Sequence, residues 1–272
     1  MIITQAWFIC YNSAMRINVI FNKQISGYQN ALEALEKALI DNKVEFKTFD
    51  IDRLEQFGDF TFVIGGDGTL LKCARFYAGS PVLGINLGRL GFLAQAGVEE
   101  IEKAVKAVID GKYSTEERLM LESDDAIALN DFVIKGSMTS RTSKFYLEIN
   151  DKFVCDYIAD GLIIATPTGS TAYGLSAGGP VLYPTLDAFV IVPICPHTLN
   201  ARPLVVPIGE TIKVKTSDKL LSVAGDGFDA TANVKEISIK TSNKKAVLAF
   251  LNDDGFYSVL RNKLHWGISP TN

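Results

Sequence analysis

The stretch Gly65-Gly66-Asp67-Gly68-Thr69 constrains this chain more than any other. It follows Phe60-Thr61-Phe62-Val63-Ile64, a short apolar run of β-branched and aromatic residues that reads as a buried strand. Residues Thr69 to Tyr77 read as the first turns of a helix. A glycine-rich turn between strand and helix presents backbone N–H groups to an anion, and the helix dipole adds to the attraction. That geometry suits phosphate. A carboxylate in its middle repels phosphate, so Asp67 should have a task of its own. It holds a metal, or it takes a proton from the group that attacks phosphorus. The turn is not a P-loop, because no Gly-Lys-[Ser/Thr] follows at the required spacing. Nor is it a dinucleotide fingerprint: Gly66 and Gly68 match its first two glycines, but Leu71 stands at the third. A tight turn that merely needs glycine is the competing reading of these residues alone.

The 272 residues allow two modest domains or one large one, and 47% apolar content allows a sizeable core. The formal net charge is −4 and no long basic block occurs, which argues against nucleic acid or an anionic membrane as the main partner. Cys10, Cys73, Cys155 and Cys195 are far apart, with no zinc or redox spacing, and fit a reduced cytoplasmic setting. His197 and His265 are the only histidines, so a multi-histidine metal site is excluded and a carboxylate is the better candidate for a general base. No apolar run approaches the roughly 20 residues that span a bilayer. Residues 1–14 lack a basic n-region and do not make a convincing signal peptide; they are expected to be an accessory extension, or to precede a natural start at Met15.

Along the chain, Ile17 to Phe21 looks like an opening strand. Ser26, with Gln29 three residues on, has capping-box spacing, and Ala31, Leu32, Leu35, Ala38 and Leu39 share a helical face. Val44 to Phe49 alternates as a strand, and Pro81 to Asn86 is another short buried one, leading into the glycine-punctuated Leu87–Leu93. Val98, Ile101, Val105, Val108 and Ile109 form a helical stripe, with Gly111 where a C′ glycine belongs. Strands alternating with helices predict a parallel sheet. After about residue 112 helical periodicity nearly vanishes. Phe145, Leu147 and Ile149 alternate, Asn150-Asp151 makes a turn, and Phe153, Cys155 and Tyr157 return. Further strands at Ile212–Lys215, Ile237–Lys240 and Ala246–Leu251 predict an all-β second domain.

The other unusual stretch runs from Asp160 to Pro180, where Thr166-Pro167-Thr168-Gly169-Ser170-Thr171-Ala172-Tyr173 crowds hydroxyls and glycines after the apolar Leu162–Ala165. Hydroxyls and backbone N–H groups bind sugar and phosphate oxygens without adding charge, and Tyr173 can stack on a base or ribose. A long surface loop has the same composition. Taken with Gly65–Thr69, with Asn130-Asp131 and with the closing Tyr257–Leu264, in this order and spacing, the chain resembles the NAD kinase family over nearly its whole length from Met15. The Gly-Gly-Asp-Gly-Thr motif is shared with lipid kinases and phosphofructokinase-like enzymes. The Asn130-Asp131 and Thr166–Tyr173 pair is far more specific.

The resemblance implies an α/β N-terminal domain with a Rossmann-like parallel sheet and an all-β, sandwich-like C-terminal domain, the NAD kinase / diacylglycerol kinase-like fold. The expected bounds are 15–118 for the α/β domain, 119–250 for the β domain and 251–272 for a segment packing back on the α/β domain. It implies transfer of the γ-phosphoryl of ATP or polyphosphate to the 2′-hydroxyl of the adenosine ribose of NAD. Asp67 takes the catalytic role by motif match. Gly66, Gly68, Asn130, Asp131, Asp160, Thr168, Thr171, Ala172, Tyr173 and Ser176 match ligand-binding positions, Lys72 and Arg141 lie where basic residues often approach ligand phosphates, and Phe92 matches an aromatic of the pocket wall. Mg²⁺ is the implied cofactor, held mainly by nucleotide phosphates, and a homodimer or homotetramer is the implied assembly. Two positions depart from the pattern: Ile158, where many members carry a basic residue, and Phe228, where a glutamine is common. A lipid or sugar kinase sharing the Asp67 motif, and a non-catalytic NAD-binding regulator, are the alternatives. The first lacks a basic amphipathic segment for membranes. The second has no reason to keep Asp67.

Overall fold

The computed structural model describes residues 15–88, 91–94, 96–124, 126–136, 142–198, 200–217, 220–251 and 255–267, with backbone alone for 229–233. The expected extension at 1–14, and Arg141, lie outside the described residues. The chain divides into two compact units: residues up to 73, 80–114 and around 250 make the first, and 74–79, 115–249 and the C-terminal segment make the second.

The first unit is built from β1 (Arg16–Phe21), α1 (Tyr28–Asp41), β2 (Glu45–Asp50), β3 (Phe60–Ile64), the start of α2 (Asp67–Phe76), β4 (Pro81–Asn86), β5 (Ala96–Gly97) and α3 (Ile101–Ile109). Strands run parallel in the order β2-β1-β3-β4, with β5 parallel to β4. Every residue of β3 is buried, as a strand covered on both faces requires. One stripe of α1 (Ala31, Leu35, Ala38, Leu39) and one of α3 (Ile101, Ala104, Val105, Val108) are buried. Each fully buried Leu or Val contributes on the order of 1.5–3 kcal/mol relative to exposure. Ser26 is not the cap it was expected to be. Helix α1 opens behind Gly27, whose φ of 83° suits a residue without Cβ, and no side chain caps it. Gly111 fulfils its expectation: at φ 67° it ends α3, its N–H donating to the Val108 carbonyl at 3.1 Å.

The second unit holds β6 (Ser114–Arg118), β7 (Leu121–Ser123), β8 (Ala126–Ala128), β9 (Asp131–Gly136), β10 (Ser143–Ile149), β11 (Lys152–Ala159), β12 (Gly161–Ala165), the short α4 (Tyr173–Ser176), β13 (Ala188–Ile194), β14 (Leu204–Pro207), β15 (Ile212–Thr216), β16 (Leu221–Gly225), β17 (Phe228–Val234), β18 (Glu236–Thr241), β19 (Ala246–Phe250) and α5 (Phe256–Leu264). Two six-stranded sheets form, ordered β11-β10-β15-β18-β7-β8 and β14-β13-β12-β9-β16-β17. Alternate residues from both, among them Phe145 and Leu147 of β10, Phe132 and Ile134 of β9 and Phe189 and Ile191 of β13, meet in one core. Strands β12 and β13 are buried on their other face too, where Ile163, Val190 and Val192 pack with Leu182 and Ala177 from the segment after the hydroxyl-rich loop. That second cover draws the loop back onto its own sheet. Helix α5 brings Phe256 and Tyr257 against Tyr183, with ring centres 5.4 and 5.9 Å away.

Candidate functional site

In the first unit, β3 delivers the chain into the glycine turn, and Asp67 is the first residue of α2, slightly ahead of the expected helix start. Its N–H and that of Gly68 stand in the first helical turn, where no intrahelical acceptor exists. The Asp67 carboxylate is fixed: Oδ2 accepts the Phe92 N–H at 2.8 Å and Oδ1 accepts the Leu93 N–H at 3.2 Å. Phe92 thus meets the catalytic candidate through its backbone, with its ring half-buried. Gly91 leaves the space this requires, since a Cβ there would overlap the Asp67 carboxylate.

The turn's glycines divide by cause. A Cβ on Gly65 would stand 2.7 Å from the Thr69 side chain, so Gly65 serves packing. Among the described residues, Gly66 and Gly68 have nothing beyond their own chain neighbours within 4 Å of such a Cβ, and neither has a positive φ. Neither backbone strain nor packing requires glycine at these two positions, and the room they leave is open to a ligand. Lys72 is half-buried and pairs with Asp52 at 3.5 Å; Asp52 also faces Lys23 at 3.8 Å.

In the second unit, Asn130 and Asp131 stand at the turn entering β9. Asp131 is 5% exposed, and burial first, then the charge of Asp226, pushes its carboxyl up to about 7. The hydroxyl loop is stapled to the same turn. The Thr166 N–H donates to the Asn130 carbonyl at 2.8 Å, and Thr166 Oγ1 donates to the Leu129 carbonyl at 2.5 Å while accepting the Gly169 N–H at 3.0 Å. Gly169 is glycine because a Cβ would strike the Asn130 backbone. Ser170 Oγ donates to the Pro167 carbonyl at 2.7 Å and accepts the Leu182 N–H at 2.9 Å. These hydroxyls hold the loop in shape, which composition alone does not reveal. Thr171 donates to the Thr168 carbonyl at 3.2 Å, and Thr168 Oγ1 accepts from buried Arg118 at 3.3 Å. Burial pulls the Arg118 guanidinium below its ordinary value, and Glu116, 2.6 Å away, opposes that shift. Tyr173 is 39% exposed, Ser176 is exposed, and Ala172 joins the 3-10 turn Gly169–Thr171 to α4. Asp160 is exposed at the corner between β11 and β12, its N–H on the Ile194 carbonyl at 3.0 Å.

Sequence reasoning passed over three residues: Arg118, Arg75 and Asp226. The Asp226 carboxylate accepts the N–H groups of Leu129, Asn130 and Asp131 at 2.9, 2.7 and 3.1 Å, and Arg75 Nε lies 3.4 Å from it. Its one sequence signal, Asp226-Gly227, is an ordinary hairpin dipeptide. Among the described residues no three His, Cys, Asp or Glu side chains group as a metal cage, and no helix is long and apolar enough to cross a membrane.

Comparison with known proteins bears on both units. A model of the ATP-NAD kinase N-terminal domain matches residues 7–113, and one of the ATP-NAD kinase C-terminal domain matches residues 129–251. The chain is 38% identical over 271 residues to an NAD kinase of Clostridium botulinum, covering 92% of this chain and 95% of that protein. To an NAD kinase of Pseudomonas putida it is 44% identical over 225 residues, covering 77% and 76%. Its fold matches yeast NADH kinase solved with NADH at TM-score 0.82, covering 96% and 92% of the two chains at 23% identity. It also matches an Archaeoglobus fulgidus NAD kinase solved with ATP at TM-score 0.77, covering 92% and 98% at 29% identity. With a domain model matched in each unit and relatives this close along most of its length, the chain belongs to the NAD kinase family.

Proposed function

We infer that this NAD kinase transfers the γ-phosphoryl of Mg·ATP to the 2′-hydroxyl of the adenosine ribose of NAD, with Asp67 as the general base. The reading of Asp67 rests above all on one observation: its carboxylate is held by two backbone N–H groups at the head of α2, beside two glycines that leave open space. A ribose hydroxyl is a weak nucleophile with a pKa far above neutral, so it needs a proton acceptor and alignment. Asp67 takes the 2′-hydroxyl proton as that oxygen bonds to the γ-phosphorus; the bond from γ-phosphorus to the bridging oxygen breaks, and ADP leaves. The unpaired N–H groups at the start of α2 face the phosphate charge. Asn130, Asp131 and Asp160, with the loop from Thr168 to Ser176, hold the dinucleotide. Mg²⁺ enters as part of the nucleotide substrate, held mainly by its phosphates. The Archaeoglobus relative was solved with ATP, which favours ATP over polyphosphate as donor. The same reading sets the enzyme in the cytoplasm as a homo-oligomer. The test is incubation with NAD and Mg·ATP, with NADP read by a coupled dehydrogenase. NADP formation that Asp67→Asn slows by about a hundredfold or more supports the assignment. No NADP from folded protein, with either ATP or polyphosphate as donor, overturns it.

A further inference from the structure

The two residues Asp226 and Gly227 join β16 to β17 with φ of 50° and 81°, and Gly225 pairs with Phe228 across them. This is a two-residue hairpin of the kind that favours Asn-Gly or Asp-Gly, and turn formation alone would account for the dipeptide. It does not account for the side chain. The Asp226 side chain is 1% exposed and reaches the turn before β9. Oδ1 accepts the N–H groups of Asn130 and Asp131, at 2.7 and 3.1 Å. Oδ2 accepts the Leu129 N–H at 2.9 Å and lies 3.4 Å from Arg75 Nε. In return the Asp226 N–H donates to the Asp131 carbonyl at 2.9 Å. Arg75 is held on its other side, with Nη1 donating to the Ile127 carbonyl at 2.9 Å and its guanidinium 5.7 Å from the Phe228 ring centre.

Three backbone donors and a guanidinium need an acceptor with two oxygens, and among residues of this size only a carboxylate supplies both. Asparagine would serve the hairpin as well as aspartate. It would offer one oxygen, and its NH₂ would be turned toward a backbone N–H. The hairpin chemistry and the clamp chemistry therefore separate at this single position.

We propose that Asp226 and Arg75 are positioning residues for the dinucleotide, holding the Leu129–Asp131 turn in the shape that presents Asn130 and Asp131 to it. The proposal rests on the reading of Asn130 and Asp131 as dinucleotide contacts. It places a specificity element in a hairpin whose sequence looks purely structural. Both residues act through the turn and touch no reacting atom. Phe228 acts as the flat wall that keeps the Arg75 guanidinium in place.

Asp226→Asn tests it, because asparagine keeps the hairpin. The expected result is a melting temperature within a few degrees of the parent. kcat/KM for NAD should fall about tenfold or more, with KM for Mg·ATP unchanged within twofold. Amide hydrogen exchange of Leu129, Asn130 and Asp131 should quicken, while the rest of β9 stays protected. Should Asp226→Asn fail to fold, Arg75→Met loosens the clamp from its other end and should give the same split, with Arg75→Lys recovering part of it. Unchanged kcat/KM for NAD in the folded variants, or equal weakening toward NAD and Mg·ATP, overturns the proposal. Asn130→Ala and Asp131→Ala are the controls. If neither weakens NAD, the dinucleotide reading of the turn fails first; if they do and Asp226→Asn does not, the clamp alone fails.

Discussion

Asp67 accepts hydrogen bonds from two backbone N–H groups that cannot rotate away, so the lone pairs left on its oxygens point in fixed directions. Asp67→Asn keeps the shape but removes the carboxylate that would accept the proton. It is expected to lower kcat by roughly 10²–10⁴, the usual size of a general-base contribution. NAD affinity should change little, because the mutation removes a charge that repels phosphate. A Mg²⁺ titration decides between roles: turnover restored by excess Mg²⁺ would make Asp67 a metal holder instead. Gly68 gives a complementary test. It is exposed, has an ordinary φ and, among the described residues, meets nothing beyond its own chain neighbours where a Cβ would stand. Gly68→Ala should raise stability by about 0.5–1 kcal/mol, since alanine suits a helix better. Its kcat/KM should nonetheless drop at least tenfold if that space belongs to substrate. A variant both more stable and fully active would show that the space is empty during turnover.

At the level of elements, β9 begins with Asp131, whose buried carboxyl sits at about 7, raised by desolvation and then by Asp226. The folded value lies above the ordinary 3.8, so between about pH 4 and pH 7 the folded state binds more protons than the unfolded. Stability from this group is present at low pH and is lost as pH rises toward 7, by on the order of 4 kcal/mol in all. Denaturant midpoints measured from pH 5 to pH 8 should fall with pH in the parent, and less steeply in Asp131→Asn. Equal slopes would remove Asp131 as the cause. The elements themselves were largely legible in the sequence. The strands at Phe60–Ile64 and Pro81–Asn86 lie where continuous apolar runs set them, and the Asn150-Asp151 hairpin turn joins β10 to β11. Local pattern suffices there, since burial on both faces or a two-residue turn is written in adjacent residues. The Ser26 cap was misread because Gly27 offers the chain a left-handed entry that no spacing rule anticipates. Arg118, Arg75 and Asp226 escaped for another reason. Arg118 follows two glutamates and looks like a solvated charge, and Asp226 meets Leu129 from 97 positions away. No window of sequence contains both partners.

For the whole molecule, both sheets of the β unit end in open strands among the described residues. Strand β11 ends one sheet with Phe153, Val154 and Ile158 exposed, and β14 ends the other with Leu204 and Val205 exposed. Apolar side chains along an open edge invite pairing with another copy. Light scattering at micromolar concentration is expected to give a dimer or tetramer, and Phe153→Glu to shift it toward monomer. A monomeric parent protein would reject this assembly. The clamp around Asp226 also bears on how the enzyme comes into being. Arg75 leaves the ribosome early, the turn at 129–131 later, and Asp226 later still. Contacts so distant along the chain form only after a large loop closes. The Leu129–Asp131 turn is then among the last parts to take its final shape during synthesis. A nascent chain halted before residue 226 carries Gly65–Thr69, Asn130-Asp131 and Thr166–Tyr173 and still lacks the carboxylate that holds the Leu129–Asp131 turn.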